Sequence, residues 1–89
     1  MLHLRDLSCF ILVYELRSFS RAADSQDTVQ SLISVRIHRL EQFIGAPLFL
    51  RLQHGVAPTQ KGELLYQHAK RVVRDIDELE SAVKLHNAA

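Results

Sequence analysis

Gln30, Ser31, Ser34, Val35, Arg36 and His38 crowd an amide, hydroxyls, a methyl-bearing side chain and cationic groups into nine consecutive positions. Together they can donate and accept hydrogen bonds, make apolar contact and neutralise anions. Around them, residues 29–61 carry Arg36, Arg39, Arg51 and Lys61 against Glu41 alone, a local net charge of +3, with His38 and His54 in addition. The flanking segments 1–28 and 62–89 each come to −1, so the whole chain is only +1. A basic excess confined to the middle of a chain is the electrostatic footprint of a phosphate-facing surface, and equally the composition of an ordinary solvated face. The near-balanced total excludes a polybasic tail and an acidic solvating tail.

Other chemistries are poorly served. Catalysis needs a nucleophile, a base and a pocket, but the carboxylates fall mostly on the C-terminal segment and no Gly-rich phosphate loop exists. The chain is therefore expected to be no enzyme and to hold no cofactor. His3, His68 and His86 lack metal-ligand spacing with a carboxylate partner and read as surface residues, so no metal is expected. The single cysteine, Cys9, cannot form an internal disulfide, and it borders an apolar stripe, where it reads as a small core residue; nothing supports redox sensing. No apolar run approaches the roughly 18 residues that span a bilayer, and no secretory signal is recognisable. With 89 residues, 47% hydrophobic and 24% charged, the chain reads as one small soluble domain, expected in the cytoplasm.

The elements that must position these groups follow from periodicity. Leu4, Leu7, Ile11 and Tyr14, with Phe10 beside them, predict a first helix that ends near Arg17 and Ser18. A short second helix is predicted from about Ser20 to Gln26, capped by Ser18 or Ser20. Ile33, Ile37, Leu40 and Ile44 mark a third helix closed by Gly45. Opposite that stripe lie Ser31, Val35, His38 and Gln42, with Ser34 and Arg39 flanking. Residues 47–52 and 56–58 predict a small hairpin about Gln53-His54-Gly55, with Pro58 confining its strand to an edge. Thr59 then caps a long helix to about His86, and Gly62 in its first turn suggests close backbone packing. Leu65, Ala69, Val72, Ile76, Leu79 and Val83 make a heptad seam along it. At 1.5 Å per residue this helix runs ~40 Å. The preceding residues fold into a unit of ~25 Å, so the far seam calls for another chain; packing of the seam on its own domain is the alternative, and helix length argues against it.

Helix, helix, helix, hairpin, long helix is the order of a helix-turn-helix followed by a β wing, a mainly α fold whose third helix fits a DNA major groove ~12 Å wide. The segment Phe19-Ser20-Arg21-Ala22-Ala23, followed by Gln30, Ser34, Ile37, Arg39-Leu40-Glu41, Gly45, Pro47-Leu48-Phe49, Arg51, and Thr59 with Gly62, closely resembles the N-terminal DNA-binding domain of LysR-type transcriptional regulators. The likeness runs from about Leu4 to Val83. It implies a winged helix-turn-helix domain over residues 1–58 and a linker helix over 59–89 that dimerises antiparallel. It also implies that a C-terminal effector-binding domain normally follows; the chain is expected to be a fragment lacking it, with any small-molecule effector acting only through that domain.

The function so implied is sequence-specific binding of double-stranded DNA by a homodimer for transcription regulation, with a tetramer open in a full-length protein. The helix at about 30–44 would enter the major groove, and the wing at about 47–58 would lie on the backbone or minor groove. Carried over by position, base reading falls on Gln30, Ser31, Leu32, Ser34 and Val35, with Arg36 and His38 on the same helix. Gln30 is suited to an adenine edge. Ser20 and Arg21 match phosphate-contacting positions, Arg51 and His54 the basic positions of the wing, and the six seam residues the dimer contact. The chain departs from the family pattern at Val29-Gln30-Ser31, where Ser-Gln-Pro is usual. There Val29 cannot cap, so Thr28 or Asp27 is expected to cap and shift the helix start. Leu32 and Val35 replace a small residue and an Arg and suit thymine methyls; His54 replaces Arg, and Gln26 and Thr28 replace apolar residues. These changes imply a different target sequence and weaker non-specific affinity. The rival reading is a helical dimerising adaptor that binds protein and no nucleic acid.

Overall fold

Three other helices pack around α1 (Leu4–Leu16) in the computed structural model, which describes residues 1–86. α2 (Phe19–Ser25), α3 (Gln30–Ile44), β1 (Phe49–Arg51), β2 (Val56–Pro58) and α4 (Gln60–His86) follow in order. Residues 87–89, the end of the expected 59–89 linker segment, lie outside the described residues, as does the side chain of His86.

The expected stripe of α1 is displaced. Its centre is Asp6, Leu7, Cys9, Phe10 and Val13, all buried, whereas Leu4 is exposed and Ile11 and Tyr14 are half-buried. A helix enclosed on three sides has a buried arc wider than one stripe, and Ile11 and Tyr14 lie on its α4-facing edge. Cys9 is a core residue as expected.

α2 begins one residue early, with Ser18 as its cap: the Ser18 hydroxyl accepts from the Arg21 N–H at 3.1 Å. The expected capping of α3 by Thr28 or Asp27 does not occur. The cap position is Val29 and no side chain serves it; the Thr28 N–H instead donates to the Ala23 carbonyl at 3.0 Å. Asp27 takes a left-handed conformation (φ 52°), which its short polar side chain tolerates. α3 therefore starts at Gln30, buries Ile33, Ile37 and Leu40, and stops at Gly45 (φ 82°).

The two strands pair antiparallel, Phe49 opposite Pro58 and Arg51 opposite Val56. Three contacts fasten this wing. The Leu48 N–H donates to Glu41 Oε2 at 2.8 Å. The Val56 N–H donates to the Arg17 carbonyl at 3.1 Å. The Thr59 hydroxyl donates to the Pro47 carbonyl at 2.7 Å while accepting from the Gly62 N–H at 3.1 Å. Gly62 is buried where a Cβ would collide with the Leu48 carbonyl oxygen, a backbone atom that cannot swing aside. Gly62→Val should therefore cost about 1–3 kcal/mol through overpacking, read as a lower urea midpoint; an unchanged midpoint would contradict the close approach.

α4 is 27 residues long and gives the molecule its 54 Å long axis. Leu65 and Ala69, expected on the intermolecular seam, pack within the chain: Ala69 lies in the core and Leu65, Tyr66 and Val73 lean against it. They sit in the turns that cross α1, so the body of the domain reaches them first. Ile76 is half-buried, Val72, Leu79 and Val83 are exposed, and every residue from Asp77 to Leu85 is exposed.

The α1–α4 contact is polar at its rim. Tyr66 donates to Glu15 Oε2 at 2.6 Å and Lys70 to the same oxygen at 2.9 Å. These two donors hold the Glu15 carboxyl below its ordinary range. A depressed carboxylate stabilises the fold at neutral pH, and that stabilisation disappears as pH falls through the lowered value. The groups are exposed, so the contribution is small.

Candidate nucleic-acid interface

At about 100° per residue, α3 divides into rows. Ser31, Val35, His38 and Gln42 form the outward row, all exposed, with Val35 at 58%. Gln30 and Ser34 lie on the flank facing α2 and the wing. Gln30, exposed at the first position of the helix, borders a shallow concavity with Ser18, Ser20, Arg51 and Leu52. Ser34 is half-buried and shares a second concavity with His38, Pro47 and Arg51. Arg51 is common to both. Its guanidinium lies 4.7 Å from the centroid of the Phe19 ring, which orients it over the α2 side of the wing. Ser20, Gln30, Ser34, His38 and Arg51, drawn from three elements, thus meet on one surface.

Leu32 and Arg36, expected on that surface, stand on the opposite flank. Both line a groove with Leu4, Arg5 and Ser8 of α1, and both are half-buried. Arg36 Nη1 donates toward Cys9 Sγ at 3.2 Å. One turn on, Arg39 makes a two-pronged ion pair with Asp6, Nε to Oδ2 at 2.7 Å and Nη2 to Oδ1 at 2.8 Å. Asp6 is only 1% exposed, and this fork supplies its charge partner. Two of the four cations that make residues 29–61 basic are therefore turned to α1, one of them neutralised there. The outward face of α3 is less cationic than its sequence implies.

Further basic side chains gather at the wing turn. His54, at the wing turn, sits beside Arg17, Ser18 and Arg21 along a common concavity. Arg21 was expected here; Arg17 was not. Arg17 closes α1 in a left-handed conformation (φ 57°), which directs the chain into α2. Its carbonyl holds the wing, and a Cβ on Gly55 (φ 91°) would come within 2.5 Å of that carbonyl. The only sequence signal for Arg17 was its place four residues before Arg21, across a helix break. Among the described residues no group of His, Cys, Asp or Glu could hold a metal ion, and no helix is long and apolar enough to cross a membrane.

The arrangement has close counterparts. The family model of bacterial regulatory helix-turn-helix proteins of the lysR family matches residues 4–63. The transcriptional regulator DgdR of Burkholderia cepacia is 42% identical over 72 residues, which cover 81% of this chain and 24% of DgdR. BudR of Klebsiella aerogenes is 40% identical over 72 residues, covering 81% of this chain and 50% of BudR. The chain thus spans a quarter to a half of the length of these relatives. The crystal structure of BenM_DBD in a catB site 1 DNA complex superposes with a TM-score of 0.93 at 32% identity, over 98% of each chain. The match of the lysR model to two thirds of the sequence, in the helices and wing just described, establishes that this chain belongs to the lysR family of bacterial regulatory helix-turn-helix proteins, a family of regulators and not of enzymes.

Proposed function

We propose that the chain binds double-stranded DNA as a homodimer to regulate transcription. In this reading, residues 1–58 form the DNA-reading unit and α4 the dimerising unit. α3 enters the major groove by its N-terminal half, so that Gln30, Ser31, Ser34 and Val35 reach base edges while the wing follows the backbone or minor groove. Arg21, Arg51 and His54 face phosphates; Leu32, Arg36 and Arg39 shape the domain. The observation that carries the reading is the meeting of Ser20, Gln30, Ser34 and Arg51 on one surface, in a fold that superposes on BenM_DBD in its DNA complex.

Dimerisation would use Val72, Ile76, Leu79 and Val83, the part of the seam the chain leaves half or fully exposed. An antiparallel partner suits the charge order along α4. Lys70, Arg71 and Arg74 precede Asp75, Asp77, Glu78 and Glu80, and antiparallel alignment sets the basic stretch of one helix opposite the acidic stretch of the other. A DNA-reading role assigns the protein to the bacterial cytoplasm. A small-molecule effector would act through a domain outside residues 1–89.

A salt titration of duplex binding tests the reading. The logarithm of affinity should fall linearly with the logarithm of salt concentration, with a slope of about −0.9 per phosphate neutralised. A dimer that ignores every duplex at low salt would point to the protein adaptor instead. Gln30→Ala should relax selectivity at one base position by about 1–3 kcal/mol and leave the salt slope unchanged; unaltered preference in a duplex selection would remove Gln30 from base reading.

A further inference from the structure

Two tyrosines on facing helices bind α4 to the reading head. The rings of Tyr14 on α1 and Tyr66 on α4 stack at 3.7 Å between centroids and 7° between planes. Each hydroxyl donates to a carboxylate on the other's helix: Tyr14 to Glu63 Oε2 at 2.9 Å, and Tyr66 to Glu15 Oε2 at 2.6 Å. The arrangement is reciprocal, so rotation of α4 in either sense stretches one bond and unstacks the rings. Lys70 adds a bond to Glu15 at 2.9 Å, and the Arg17 guanidinium lies 4.7 Å from the Tyr14 centroid. Beyond Ile76 every described side chain of α4, from Asp77 to Leu85, is exposed, so its direction is set within these turns.

We infer that this tyrosine clasp fixes the angle between α4 and the winged domain, and thereby the spacing of half-sites that a dimer accepts. The inference rests on the dimeric DNA-reading proposal above. Its leverage is geometric. Tyr66 and Leu79 are ~20 Å apart along the helix axis, and a swing of ~10° over that arm moves the reading head by ~3.5 Å. One base-pair step is ~3.4 Å along the duplex. A loose joint would let one dimer serve neighbouring spacings; a clasped one would not. Tyr14 and Tyr66 are positioning residues in this scheme and touch no DNA.

The test uses the 89-residue chain and duplexes with two copies of its selected half-site, the separation altered by one and two base pairs. The unaltered protein should lose about tenfold in affinity for a one-base-pair change. Tyr14→Ala should shrink that loss to about threefold or less, while affinity for a single half-site and helical circular dichroism stay the same. A purely stabilising role would shift the melting temperature without changing the spacing profile. Tyr14→Phe/Tyr66→Phe, which keeps both rings and removes both hydroxyl bonds, should broaden the profile in the same direction and decides the matter if the alanine variant does not fold. A wild-type spacing profile in the folded variants overturns the inference and leaves DNA binding standing. Absence of duplex binding by the unaltered protein overturns both.

Discussion

Leu79→Asp should leave the chain monomeric and lower its affinity for a two-half-site duplex by about 10²–10⁴-fold, the range lost when linked binding events become independent. Leu79 is 62% exposed on the stretch of α4 whose described side chains, Asp77 to Leu85, are all exposed. A carboxylate there changes nothing inside the domain, so its fold should survive, which separates this variant from one that merely unfolds. In a paired seam the same carboxylate would be taken from water into an apolar contact beside Asp77, Glu78 and Glu80 of its own helix, and desolvation and that local like-charge repulsion oppose it. Light scattering should give the mass of one chain and anisotropy the weakened binding. A retained dimer would show that α4 is not where copies meet.

Phe10→Ala should destabilise the domain by about 3–5 kcal/mol. The Phe10 ring is fully buried, 5.3 Å from the ring of Phe49 on the wing and 6.2 Å from that of Tyr14. It joins α1, the wing and the tyrosine clasp, so the wing cannot collapse into the space without leaving its bond to Arg17. A small domain holds about 5–15 kcal/mol in total, so the variant should be partly unfolded at ambient temperature. Because association adds to apparent stability, the comparison belongs at one protein concentration. A urea-derived loss below about 1 kcal/mol would contradict a core centred on this ring.

Features governed by neighbouring residues were legible in the sequence. Thr59 as the cap of α4, Gly45 as the stop of α3, the two strands about Gly55 and the row Ser31, Val35, His38 and Gln42 all follow from local chemistry and helical period. What could not be read depends on partners far along the chain. Arg39 and Arg36 looked like surface charge because Asp6 and Cys9 are 33 and 27 residues away. Asp6 is buried in the first turn of α1, and nothing beside it in the sequence marks it for the core. Ala69 fits a heptad as well as a domain core, because small apolar residues serve both. Tyr14 and Tyr66 each fit an apolar edge, and only the packing of α1 on α4 brings their rings together.

Selecting bound duplexes from a random pool addresses the central claim most directly, since it asks at once whether DNA is read and whether two heads read it. The recovered sequences should share two half-sites related by two-fold symmetry at a fixed separation of one helical turn, ~34–36 Å, or a multiple of it. Enrichment of a lone asymmetric half-site, or no enrichment at low salt, would contradict a paired reading unit built on α4.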